Sequence, residues 1–207
     1  RHGQLFQRLR IYNVMILYHY SVDSYKDGGE LLNDFNKLRR FAEPFVFALE
    51  KGEDCFWSTF FSAMYYSREL CALGLRKREN YVKDSVEGVF EYVRRYEFGE
   101  RAVSRVGCVY YCKTADEAVK YLRDDCLDSG DFTREQVKLL EVEADGSRVF
   151  SYDQYFFNEA ERVMEDERSL ERVKELARRY FSGEMSENPL VEILSDGKNK
   201  VLRELEI

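Results

Sequence analysis

The chain has 207 residues, 44% of them apolar and 15% aromatic, which is ample for one core and too hydrophobic for a disordered chain. A net charge of −7 with 34% charged residues favours solubility and opposes long tracking along a phosphate backbone. No window approaches about 18 consecutive apolar residues, so no membrane-spanning helix is expected.

Five scattered cysteines in mostly apolar surroundings suit buried thiols in a reducing compartment, and the expected location is cytoplasmic. With two histidines and no CxxC pair, no metal site is expected.

Residues 1–14, RHGQLFQRLRIYNV, carry three arginines and no acid, and are expected to be an extension, an upstream start or vector-derived residues. A single domain is expected over 15–207. MILYHYS (15–21) reads as a strand, and DGG (27–29) as a turn. Leu31, Phe35, Leu38 and Phe41 recur at helical spacing before Pro44. CFWSTFFSAMYYSRELCALG predicts a buried helix ending at Gly74, with overlapping rows Phe56, Phe60, Met64 and Trp57, Phe61, Tyr65. A second helix is predicted from about Glu79 to Tyr96, with Val82, Val86, Val89 or Phe90, and Val93 on one face.

SRVGCVYYC (104–112) reads as a strand, and TADEAVKYL (114–122) as a short helix whose Thr114 and Glu117 fit a capping box. Gln136 to Val142 predicts a strand, DGS (145–147) a hairpin turn, and Arg148 to Tyr152 the returning strand. SLERVKELARRYF (169–181) predicts an amphipathic helix with Leu170, Val173, Leu176, Ala177 and Tyr180 inward. LVEIL (190–194) is a strand that places Leu190, Glu192 and Leu194 on one face, after which DGKNK turns and VLREL finishes the sheet. The plain expectation for Glu192 is an edge strand with its carboxylate in water. The whole reads as α+β, a helical first half packed on a strand-rich second half.

No GxSxG, GxGxxG or GxxxxGK[ST] occurs, which removes nucleophile-elbow, Rossmann and P-loop chemistry. What interrupts the apolar strands is Tyr18-His19, Tyr110-Tyr111 and Glu192, with Glu141 and Glu143 as competing acids. The order and surroundings of LYHYS (17–21), GCVYYCKTADEAVKY (107–121) and PLVEILSDGKNKVL (189–202) resemble the His-Tyr-Glu branch of the ADP-ribosyltransferase superfamily, as in small bacterial and phage domains of unknown function. Val109 stands where many relatives have the tyrosine two residues after the glycine. That tyrosine is then Tyr110, with Tyr111 as the alternative, and by alternation the two face opposite ways.

The resemblance implies a split mixed or antiparallel sheet packed with helices, and NAD as a substrate with no metal. It implies Glu192, His19 and Tyr110 as catalytic residues: Glu192 on a ribose hydroxyl and the developing cation, His19 on a second hydroxyl, Tyr110 on the nicotinamide ring. Tyr20, Ser21 and Tyr111 are further candidates for holding NAD, with Arg105, or second Arg78, for its diphosphate. The implied partner is a macromolecular acceptor, nucleic acid or protein, with no membrane, in a toxin, defence effector or phage modifier restrained by an antitoxin or regulatory partner. LRKRENY and YVRRYE are basic stretches that could present a nucleic acid. The alternatives are an NAD glycohydrolase or non-catalytic binder of an NAD-derived ligand, and a non-enzymatic module that docks a partner through the aromatic helix 56–66.

Overall fold

The computed structural model describes residues 14–22, 27–31, 43, 46–47, 49–51, 55–73, 77–128 and 132–206, without the side chain of residue 125. The helix expected over 31–41, apart from Leu31, and nearly all of the 1–14 segment lie outside them. The described residues form an α+β structure with two small antiparallel sheets and five α-helices.

Strands β1 (Val14–Ser21), β3 (Lys138–Asp145) and β6 (Asn199–Leu205) make one sheet in the order β1-β3-β6. Strands β2 (Val109–Tyr111), β5 (Val191–Ser195) and β4 (Val149–Asp153) make the other in the order β2-β5-β4. Between the sheets lies a core of Leu17, Leu140, Val142 and Val201 from the first and Val109, Tyr111 and Ile193 from the second.

The other face of the second sheet carries Tyr152 and Leu194 into a larger core shared with the helices α2 (Tyr81–Val93), α4 (Gln154–Arg162) and α5 (Leu170–Phe181). Phe90, Phe156, Phe157 and Tyr180 are fully enclosed there, each contributing on the order of 2–3 kcal/mol by burial. Helix α3 (Ala115–Leu122) packs on β1 and β3, and its capping box forms as expected, Thr114 accepting from the Glu117 amide while Glu117 accepts from the Thr114 amide.

The hairpin expected at DGS does not form, and the strand after DGKNK does not continue the sheet of LVEIL. β3 and β4 belong to different sheets, and so do β5 and β6. Asp145 Oδ1 does cap the Gly146–Arg148 turn through the Ser147 amide at 3.0 Å, but the turn hands the chain from one sheet to the other. The two crossovers are tied together by Arg148 Nη2 on Asp196 at 2.5 Å. Gly197 lies against that pair so closely that an added Cβ would sit 2.8 Å from the Arg148 Cβ.

Helix α1 (Phe56–Ala72) also departs from expectation. Thr59, Ala63, Tyr66, Ser67 and Leu70 are its buried positions, while Trp57, Phe61 and Tyr65 are each more than half exposed. The strand expected over 104–112 narrows to three residues because Arg105–Gly107 coil into a 3-10 turn.

Candidate active site

The two sheets meet at one bridge between β1 and β2, where Tyr18 and Cys112 exchange amide-to-carbonyl hydrogen bonds of 3.0 and 2.8 Å. One residue further, His19 replaces backbone pairing with a side-chain bond from Nδ1 to the Tyr110 carbonyl at 2.8 Å. A carbonyl only accepts, so Nδ1 carries a proton. Burial pushes the imidazole below its ordinary range, with the Tyr110 carbonyl opposing more weakly. The ring is therefore neutral at pH 7 and offers Nε2 as an acceptor. The edge of the Tyr111 ring meets it at 5.9 Å between centroids.

Glu192 occupies the middle strand of the second sheet, which overturns the edge-strand expectation. Its Oε1 accepts from the Tyr180 hydroxyl at 2.6 Å and from Arg105 Nη1. Arg105 is only 6% exposed, and its Nε reaches the Glu87 carboxylate at 3.1 Å. Its Nη1 also donates to Tyr180 at 2.9 Å, and the Phe157 ring lies 3.9 Å from its Cζ. Burial works against the guanidinium's charge, but Glu192 and Glu87 outweigh it and hold the group firmly protonated.

Tyr110 completes this side. The residue is 39% exposed, while its hydroxyl turns inward to donate to the Arg105 carbonyl at 3.0 Å. Enclosure raises the ionisation of both Tyr110 and Tyr180 well above the phenol range, against the pull of Arg105, so both remain donors. Enclosure likewise keeps the neighbouring Cys108 a thiol. The strand carrying Glu192 is anchored from behind by Asp153, which caps α4 through the Tyr155 amide at 3.0 Å. The same carboxylate accepts from the Ser186 and Leu190 amides at 2.7 and 2.9 Å.

His19, Tyr110 and Glu192 thus stand on three consecutive strands, β1, β2 and β5, with two spacings of about 4.8 Å between the outer pair. Their side chains do not share one face. The registers put Tyr110 with Leu194 and Glu192 on the helix side, and Tyr111 with Ile193 and His19 on the inter-sheet side. Tyr20 packs instead towards Leu122, Cys126 and Val137, and Ser21 pairs with Lys138 at the end of β1.

Every guanidinium nitrogen of Arg105 already has an oxygen partner, and with 6% exposure the group is enclosed rather than presented to a diphosphate. Arg78 is exposed ahead of α2. Of the competing acids, Glu141 pairs with Arg203 at 2.9 Å. Glu143 lines an open cavity of about 340 Å³ with Val14, Gly28, Lys198 and Lys200, at the far end of β1. Arg94 and Arg95 pair with Glu91 and Glu43.

Two residues of the cluster escaped the sequence. Tyr180 reads only as an inward helix position, and Glu87 lies beside the apolar Val86, Val89, Phe90 stripe in a row with Asp84 and Glu91 that resembles a solvated face. All three of those acids are buried.

The model of a family described as a protein of unknown function, DUF2441, matches residues 32–207. The chain belongs to this family. The DUF2441 match takes in Glu87, Arg105, Tyr110, Tyr180 and Glu192, whereas β1 with His19 precedes it. No curated protein matches the chain. Among the described residues no helix is long and apolar enough to cross a membrane, and no group of three His, Cys, Asp or Glu is placed to hold a metal ion.

Proposed function

We propose that this DUF2441 protein binds NAD over Tyr110, where β1 peels away from β2, and transfers ADP-ribose to a macromolecular acceptor. The observation that carries the reading is the excess of negative charge at Glu192: two carboxylates, Glu87 and Glu192, share one guanidinium beside a partly exposed tyrosine ring. Cleaving the bond between nicotinamide and ribose develops positive charge on the sugar carbon, which a preorganised anionic centre stabilises.

In this reading Glu192 accepts a ribose hydroxyl and assists the incoming acceptor, with Tyr180 and Arg105 holding its carboxylate in place. The neutral His19 accepts another hydroxyl at Nε2 through the gap between β1 and β2, and the Tyr110 ring face packs on the nicotinamide. The two sheets joined at a single bridge are in keeping with a split ADP-ribosyltransferase-like layout. With Arg105 engaged, the diphosphate is left to other donors.

A second reading is favoured by the engagement of Glu192 Oε1. A carboxylate tied to Arg105 and Tyr180 is what a purely structural ion pair requires, and the exposed Trp57, Phe61, Tyr65 row would then make the domain an interaction module. Nicotinamide release from NAD, measured with and without total cell protein and RNA, separates these outcomes. Acceptor-dependent release supports transfer, acceptor-independent release supports a glycohydrolase, and none supports the interaction module.

A further inference from the structure

We propose that Glu87 is the residue that makes this site selective for a cationic ring, so that an oxidised, positively charged pyridinium is taken in preference to a neutral one. The inference rests on the reading of NAD as the ligand, and names what in the chain would distinguish its charge state.

Glu87 projects from α2, 8% exposed, onto the same guanidinium that holds Glu192. With Glu192 alone, Arg105 would form a neutral pair, and the ligand-facing side at Tyr110 would meet no net charge. Glu87 adds a second carboxylate and leaves the centre one charge negative. Among the charges that act on the nearby, half-buried Glu161, Lys83 is matched by Asp84, which leaves the excess at Arg105 in place.

Glu87 is not placed to touch a ligand as Tyr110 is. It contacts Arg105, whose Cζ lies 5.6 Å from the centre of the Tyr110 ring. Its action is therefore electrostatic and runs through Arg105, which makes it a specificity and positioning residue. A unit charge at roughly 8 Å, in a half-wet site with an effective dielectric of about 30, changes affinity for a cation about tenfold.

The test is calorimetric binding of NAD, of 1-methylnicotinamide and of nicotinamide, the last two being nearly isosteric and differing by one positive charge. The wild type is expected to bind 1-methylnicotinamide at least about tenfold more tightly than nicotinamide. Glu87→Gln, which keeps the shape and an acceptor for Arg105, is expected to bring the two affinities together, and Glu87→Asp to retain the preference. Equal binding of the two probes by the wild type overturns the proposal while leaving NAD as the ligand if NAD itself binds. A preference that survives in Glu87→Gln overturns the role of Glu87. Failure of the wild type to bind NAD or either probe overturns the reading of the site together with the proposal. If Glu87→Gln does not fold, the wild-type comparison and Glu87→Asp still decide the charge preference.

Discussion

Replacing Arg105 with methionine removes the one cation shared by Glu87 and Glu192 and leaves two carboxylates facing each other, with side chains only 11% exposed. Breaking a buried pair by deleting one partner costs about 3–5 kcal/mol, because the remaining charge is stranded. The guanidinium's contact with the Phe157 ring adds roughly 1 kcal/mol, which the methionine side chain partly returns by packing. The expected loss is about 4 kcal/mol, or roughly 8–16 °C in Tm for a domain of this size.

Urea denaturation followed by circular dichroism, with m unchanged, measures it directly. The triple variant Arg105→Met, Glu87→Gln, Glu192→Gln strands no charge and is expected to recover at least half of the loss. A single variant that loses less than about 1 kcal/mol, or a triple variant no better than the single, would refute the buried network as described.

Other outcomes follow from the same structure. His19 is held neutral below its ordinary value of 6.5, so its contribution is complete above that pH and is lost as pH falls from there towards the folded value. His19→Gln should flatten the fall in Tm between pH 6.5 and 5 relative to wild type, and an unchanged slope would contradict the enclosed ring. At Asp153, burial opposes ionisation, but the bonds from Ser186, Tyr155 and Leu190 outweigh it and hold the carboxyl below 3.8. Asp153→Ala should cost about 3 kcal/mol at pH 7, less as pH falls below 3.8, and a loss unchanged at pH 2 would contradict the assignment. Gly197→Ala forces its Cβ onto Arg148 and should cost about 1–3 kcal/mol, checked by the same denaturation curves, whereas a neutral effect would show that the crossover relaxes freely.

Much of the architecture is written locally. The Thr114 and Glu117 capping box and the inward row Leu170, Val173, Leu176, Ala177, Tyr180 depend on contacts within one helix turn or one helix face. Sheet membership does not: the DGS and DGKNK turns carry hairpin chemistry, yet both connect strands of different sheets, because the pairing is decided by partners such as Tyr18 and Cys112, 94 residues apart. Glu192 shows the same limit. Alternation tells which side of β5 it leaves from, but not that β2 and β4 flank it, nor that Arg105 and Glu87 wait on that side. In α1, aromatic residues recur on several faces, so spacing alone does not reveal that the Trp57, Phe61, Tyr65 row is left open.

The central claim is that Glu192 acts on NAD, and its most direct test is the transfer of labelled ADP-ribose from NAD to total cell protein and RNA by wild type and by Glu192→Gln. The account predicts label on protein or nucleic acid with the wild type and a fall of at least about 100-fold in the variant, with the fold retained. Equal labelling by the two proteins would contradict it.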